Sequence, residues 1–270
     1  MRRLGSRATI IERNVKLLHR EDLDVSVGME TLFHDEDISL ILNANVEEIV
    51  GVSGQAVSVT YEQEGTIHTI EGTHLLVATG RTPNTKGIGL ELAGVELTDG
   101  GYIKVNDRLE TTAFGTWAIG EVAGSPQFTH IAFDDFRVIR ANLAGKERVT
   151  TGRQVPFTDP ELARIGLSET DAKAKGIPYH LLKTVMADDL RTRTLSETHG
   201  FMKALIGDND GILGFTVFGV DGGEIMSAVQ IAMIAGLPFT ALRDAILTHP
   251  TLIEGLVGLF SSSPVAMEHH

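Results

Sequence analysis

The chain contains no cysteine. That excludes disulfides, thiolate metal sites and thiol catalysis from within it, and it suits a cytoplasmic setting. Basic residues are also scarce: 23 Lys and Arg face 36 Asp and Glu, a formal net charge of −13. Phosphate neutralisation needs clustered Lys and Arg, so no nucleic-acid partner is expected. Acidic, solvated helix faces account for the charge. Long apolar runs are missing too. "IHTIEGTHLLVATG" is broken by polar residues well short of a membrane span, so no membrane partner is expected. "MRRLGSRATIIER" has no apolar core of the kind a signal peptide carries. A G-x-G-x-x-G phosphate cradle is absent as well. "GIGLELAG" supplies Gly87 and Gly89 but has Leu92 in the third place, and "GVDGGE" also fails.

What is present is an ordinary globular composition, 42% hydrophobic and 22% charged over 270 residues, enough for about two domains. "RATIIE" (7–12) is a short apolar run, expected to be a buried strand. "MRRLGS" before it resembles the last turn of a helix with a glycine stop, so the chain is expected to open inside a folded unit. A helix is expected over "LDVSVGMETLFHDED", then a strand over "SLILNANVEEIVG". "AVSVTYEQ" and "TIHTIEG" alternate at period two around "EGT" and predict a hairpin. "HLLVATG" predicts a further buried strand. This order suggests an α/β nucleotide-binding layout. Residues 79–124 are turn-rich, a helix follows over about 129–144, and "TTGRQVPFTDP" is a linker. From about 153, strands "FMKALIGD" and "GILGFTVFG" alternate with helices "GGEIMSAVQIAMIAG", "LPFTALRDAI" and "PTLIEGLVGLF", which predicts an α+β domain.

Four local patterns bear on chemistry. In "ATGRTPN" (78–84), Gly80 permits close backbone approach or positive φ. In "WAIGEVAG" (117–124), an apolar strand is expected to deliver Gly120 and Glu121 to a loop, where an acid can accept from a sugar hydroxyl. The helix starting at Thr129 offers free N–H groups at its positive end. "LTHPTLIEGL" (247–256) has two readings: His249 and Glu254 form an acid–base pair, or Thr251-x-x-Glu254 is a capping box. The remaining histidines (His19, His34, His68, His74, His130, His180, His199, His269 and His270) show no metal-ligand spacing, so no metal site is expected. "MEHH" (267–270) reads as a tag remnant.

"ATGRTPN", "TTAFGTWAIGEVAGSPQFTHIA", "VPFTDPELARIGLSETDAKAKG" and "HPTLIEGL" follow one another as they do in the flavin-dependent pyridine nucleotide–disulfide oxidoreductases. The chain resembles the C-terminal portion of that family over essentially its whole length. Dihydrolipoamide dehydrogenase and mercuric reductase belong to that family, and "DLRTRTLSETHGFMKALI" and "GLPFTALRDAILTHPTLIEGL" are most similar to its mercuric-reductase-like branch, reactive-chlorine-resistance relatives included.

The resemblance implies an incomplete Rossmann-like NAD(P)-binding part at 1–78, the end of an FAD-binding domain at 79–150, and an α+β dimerisation domain at 151–266. It implies FAD and NAD(P) as cofactors and a homodimer through 151–266. Gly120 and Glu121 match the flavin motif Gly-Asp, with an arm one methylene longer. Thr129 and His130 match the helix start that faces the flavin. Glu12 matches the acid on the adenosine ribose of NAD and would repel a 2′-phosphate, while Arg13 leaves NADH against NADPH open. Val46 and Gly80 match further nicotinamide-nucleotide contacts. His249 and Glu254 match the acid–base dyad that serves a cysteine pair. The Gly-rich loops and that cysteine pair are not in this chain, and the first strand of the NAD(P) domain would be lacking. Two functions are therefore expected: a C-terminal part of an oxidoreductase, inactive alone, or a non-catalytic dimerisation or interaction module.

Overall fold

The computed structural model describes residues 1–150 and 158–264. The chain divides into two compact units, Met1–Val77 with Val155–His270, and Ala78–Gln154. Most of the 150–160 linker and the 267–270 tail lie outside the described residues. Among those described, no helix is long and apolar enough to cross a membrane.

At the start, a single 3-10 turn (Arg2–Leu4) stops at Gly5, φ 94°. Strand β1 (Thr9–Ile11), helix α1 (Leu23–Asp35) and strand β2 (Ser39–Ile41) follow. β1 and β2 pair in parallel, Thr9 opposite Ser39. The single strand expected over 39–51 is two. Asn43 turns the chain at φ 53°, a conformation asparagine tolerates. β3 (Ala44–Val52) then joins β4 (Ala56–Gln63) and β5 (Thr66–Gly72) in an antiparallel meander. The strand expected over "HLLVATG" does not form, and Leu76 and Val77 are exposed. An apolar run becomes a strand only where a neighbour satisfies its backbone, and β1–β2 is a two-stranded ladder.

The second unit is built from turns. Isolated bridges Leu97–Ile103, Val105–Thr111 and Glu110–Trp117 surround a small core of Val95, Ile103 and Ala118. The strand expected before Gly120 is reduced to the Trp117 bridge, and Gly120–Ala123 is a 3-10 turn. Helix α2 (Thr129–Leu143) forms as expected.

The first unit resumes with β6 (Glu161–Gly166), α3 (Glu169–Ala174), β7 (His180–Val185), α4 (Leu190–Leu195), β8 (Phe201–Ile206), β9 (Ile212–Gly219), α5 (Gly222–Ile234), α6 (Thr240–Arg243) and α7 (Gly255–Ser261). The four strands make one antiparallel sheet in the order β6-β9-β8-β7. Its central strands are buried on both faces, which explains runs that are apolar apart from Lys203 and Thr216. Successive side chains alternate between faces. Met202, Ala204 and Ile206 join Ile225, Val229, Leu256 and Leu259 of α5 and α7 in the main core. The opposite face carries Phe201 and Phe218, which pack with Val25, Met29 and Leu32 of α1. Helix α1 follows the i, i+4, i+7 pattern of a helix with one buried stripe.

Gly214 marks a tight point in this sheet. A Cβ there would lie 1.9 Å from the Leu167 carbonyl oxygen, whose residue is held by a 3.0 Å hydrogen bond from the Leu167 amide to Leu213. Gly214→Ala is therefore expected to lower stability by about 3 kcal/mol, the upper range for overpacking. Urea unfolding measures it, and a loss below about 0.5 kcal/mol would show that the backbone yields freely.

Candidate active site

Glu254 closes a 3-10 turn, Leu252–Glu254, that leads directly into α7. Thr251 stands at the N-cap in extended conformation, but its hydroxyl donates to the Thr248 carbonyl at 2.6 Å and makes no cap hydrogen bond. The Glu254 carboxylate turns instead to His249, with Oε2 and Oε1 at 2.8 and 3.0 Å from Nδ1. The capping box is not made and the histidine–glutamate pair is. The two residues flank the cis His249–Pro250 peptide and the turn that follows it. A carboxylate only accepts, so Nδ1 is the donor toward it, and in the neutral ring of that tautomer Nε2 holds the lone pair. The ring is 60% exposed and the glutamate side chain 35%. Both line a cleft of about 240 Å³ together with Thr184, Asp189 and Met202.

A second constellation was not read from the sequence. Lys203 of β8 is fully buried, on the face that meets α1. Its ammonium donates to Asp22, Asp24 and Glu169 at 2.9, 2.7 and 2.8 Å. Asp22 also accepts from the amides of Glu169 and Thr170, at 3.0 and 2.9 Å, and so ties the start of α1 to the start of α3. Burial opposes the lysine charge, but its hydrogen bonds and the charges of Asp24 and Asp22 prevail and push it up to about 12. Burial likewise opposes the Asp22 charge, and Lys203 with the Thr170 donors holds that carboxyl well below the usual range. The three carboxylates are close enough together for a cation, and the lysine occupies that place. Arg164 extends the network to Glu21 and Asp171 at 2.9 and 3.2 Å. The one signal in the sequence is a lone lysine inside the apolar run "FMKALI".

The residues matched to cofactors fall in both units. In the first, Glu12 lies just past β1, where its carboxylate accepts from the Asn14 amide at 2.8 Å and the Asn14 side chain at 2.6 Å. Val46 is half-exposed on β3. In the second, Gly80 adopts φ 105° with open space around it. Gly120 is left-handed, φ 70°, and its amide donates at 2.7 Å to the buried Asp135. Glu121 pairs with Arg81 at a cleft of about 540 Å³. Thr129 and His130 open a helix of fifteen residues whose N-cap is Phe128, with no side-chain cap. First-turn amides have no carbonyl within the helix to donate to. A helix start without a side-chain cap, together with a carboxylate able to accept from hydroxyls, fits the polar edge and ribityl chain of a flavin.

The chain thus combines a mixed α/β fold, a long helix whose start has no side-chain cap, and a histidine–glutamate pair just before α7. Residues 1–135 match the family model described as pyridine nucleotide-disulphide oxidoreductase, and residues 153–259 match the dimerisation domain of the same family. The chain belongs to the pyridine nucleotide-disulphide oxidoreductase family, a family of FAD- and NAD(P)-dependent flavoproteins. It is 36% identical over 263 residues to the probable pyridine nucleotide-disulfide oxidoreductase RclA of Escherichia coli, covering 95% of this chain and 58% of that protein. It is 34% identical to a dihydrolipoyl dehydrogenase of Thermus scotoductus, covering 94% of this chain and 56% of the relative. With a mercuric reductase of Lysinibacillus sphaericus it shares 33%, over 94% and 47% of the two chains. The solved Cu(II) complex of the HOCl-induced flavoprotein disulfide reductase RclA superposes with a TM-score of 0.84 at 35% identity, over 96% of this chain and 59% of that one. The chain thus spans a little over half the length of its first relatives.

Proposed function

We propose that this chain provides the proton-handling dyad and the subunit interface of a flavin-dependent oxidoreductase acting on a disulfide, a metal ion or another acceptor. The observation that carries it is the 2.8 Å contact between His249 Nδ1 and Glu254, which leaves an exposed imidazole nitrogen to take and return a proton. Imidazole suits that work because its ordinary pKa, about 6.5, lies near neutrality. The glutamate fixes the tautomer and stabilises the imidazolium. Thr129 and His130 would meet the flavin with their backbone amides, and Gly120 and Glu121 would meet its ribityl chain. Glu12, Val46 and Gly80 would serve the nicotinamide nucleotide. The chemistry FAD supplies when bound is acceptance of a hydride and onward delivery of its electrons.

The homodimer belongs to the same proposal. Helix α5 exposes Ile231 and Ile234, and Leu237 and Ile246 add further exposed apolar surface, of the kind that marks an interface. Residues 151–266 are the proposed contact, in a cytoplasmic setting, and the charge of −13 argues against a nucleic-acid partner. The purified chain is expected to show no NAD(P)H-dependent disulfide reduction above buffer, because it holds no thiol. It is expected to sediment as a dimer. Robust turnover by the chain alone would overturn the division of labour, and a concentration-independent monomer would overturn the interface. Dimerisation without any effect of His249 on catalysis would favour the second reading, a non-catalytic interaction module.

A further inference from the structure

β7 is an edge strand of the four-stranded sheet and has one strand neighbour, β8. Two successive rungs of that pairing point to opposite faces. On one rung Thr184 stands opposite Met202, and both line the cleft of the His249–Glu254 pair. This wall lies tight against the turn that carries the pair. A Cβ built on Gly255, the residue after Glu254, would stand 2.7 Å from the Met202 methyl. On the next rung Lys183 stands opposite Lys203, and both ammonium groups reach toward the start of α1.

Like charges directly opposite each other on paired strands repel. What joins these two is one carboxylate from outside the sheet. Asp24, in the first turn of α1, accepts from Lys183 on Oδ2 at 2.5 Å and from Lys203 on Oδ1 at 2.7 Å. Lys203 has two further acids, Asp22 and Glu169. Lys183 has no other acid partner among the described residues. Its ammonium otherwise meets the face of the Phe201 ring, 4.2 Å from the centroid. The helix is seated by separate means, because Val25, Met29 and Leu32 pack against Phe201 and Phe218. Asp24 thus serves the Lys183–Lys203 rung more than the attachment of α1.

We infer that Asp24 is a positioning residue for the cleft: by bridging Lys183 and Lys203 it clamps the edge strand β7 to β8, and so fixes the Thr184–Met202 wall beside His249 and Glu254. The clamp crosses the proposed division of the chain. Its acid comes from the nucleotide-side part, 1–78, and the wall it holds belongs to the dimerisation part, 151–266. The dimerisation part therefore does not complete its own cleft.

That the cleft handles protons rests on the reading of His249 and Glu254 proposed above, but the clamp is measured without turnover. Asp24→Asn keeps the shape and removes the charge. In this chain it is expected to speed amide hydrogen exchange in β7 by roughly fivefold, the scale of an unfavourable cross-strand pair, with β6 and β9 unchanged. The Met202 methyl resonance, assigned with Met202→Leu, is expected to move with it. Adding Lys183→Met removes the unbalanced charge. The double variant should regain the β7 protection and the original Met202 position, which a merely stabilising role for Asp24 would not produce. If Asp24→Asn does not fold, the double variant is expected to fold, and its failure to do so overturns the inference. Unchanged β7 exchange in folded Asp24→Asn also overturns it, as does faster exchange spread equally over β6 and β9, or a double variant that shows no recovery. If the clamp behaves as expected while His249→Gln leaves a flavin-bearing enzyme at full rate, the positioning of the wall stands and the proton-handling reading falls.

Discussion

Replacing Lys203 with methionine is expected to destabilise the chain by about 3–5 kcal/mol, the cost of removing one partner from a buried ionic cluster. Methionine fills much the same volume, so the loss reports charge rather than a cavity. It removes the ammonium shared by Asp22, Asp24 and Glu169, whose carboxylate oxygens lie within 4.8 Å of one another, and leaves Asp24 only Lys183 and Asp22 only the Glu169 and Thr170 donors. In a unit of this size the loss lowers the unfolding temperature by roughly 10 °C. The pH dependence identifies the cause. In the unaltered chain the folded-state values of Asp22 and Asp24 are depressed. Their contribution is present above the ordinary carboxylate range and is lost as pH falls through those depressed values. The contribution of Lys203 has the opposite sign. It is complete below the ordinary lysine value and is lost as pH rises through about 12. In Lys203→Met the crowded carboxylates lose their shared cation and their values rise, so protonation relieves them and the penalty shrinks as pH falls toward about 4. Adding Asp24→Asn to the variant should restore about 1 kcal/mol or more. Chemical denaturation from pH 4 to 8 measures both effects, and a penalty independent of pH would show that packing, not charge, dominates.

The second large effect concerns catalysis. In a flavin-bearing dimer that includes this chain and a thiol pair, His249→Gln is expected to lower turnover by about 10²- to 10⁴-fold, the range for loss of a general acid–base. Glutamine retains a polar side chain of similar reach but cannot exchange a proton near neutral pH. The acid–base limb assigned to the pair should therefore leave the pH–rate profile. Glu254→Gln should cost less, because the imidazole remains and only its tautomer and its imidazolium lose support. Measuring kcat/KM from pH 5 to 9 separates the two, and a full-rate His249→Gln enzyme with an unaltered profile would end the dyad proposal.

Much of the fold was legible because its signals are local. The runs of β8 and β9, the amphipathic stripe of α1, the hairpin of β4 and β5, and the span of α2 all follow from side-chain periodicity and turn residues. Where a neighbour had to be supplied from elsewhere, the pattern failed. "HLLVATG" is as apolar as β8, yet no ladder receives it. "SLILNANVEEIVG" reads as one strand but splits at Asn43 between two sheets. Asp135, which anchors Gly120, looks in the sequence like any helical acid. Lys203 was out of reach for a related reason: two of its acid partners lie 181 and 179 residues away. An apolar strand with one lysine announces only that the charge must be paired, not with what.

By itself the sequence determined the absence of a thiol, the absence of a Gly-rich cradle, and an order of motifs specific enough to name a family. Those are properties of composition and spacing, and they survive in any conformation. The tertiary structure alone decided what Glu254 does. Its carboxylate can serve a helix N-terminus or an imidazole, and both partners stand within five residues of it. Thr251 spends its hydroxyl on Thr248, the path through Pro250 sets His249 beside the turn, and the carboxylate accepts from Nδ1. A hydrogen bond is short-ranged and directional, so residues that could make either contact are separated only by where the backbone puts them.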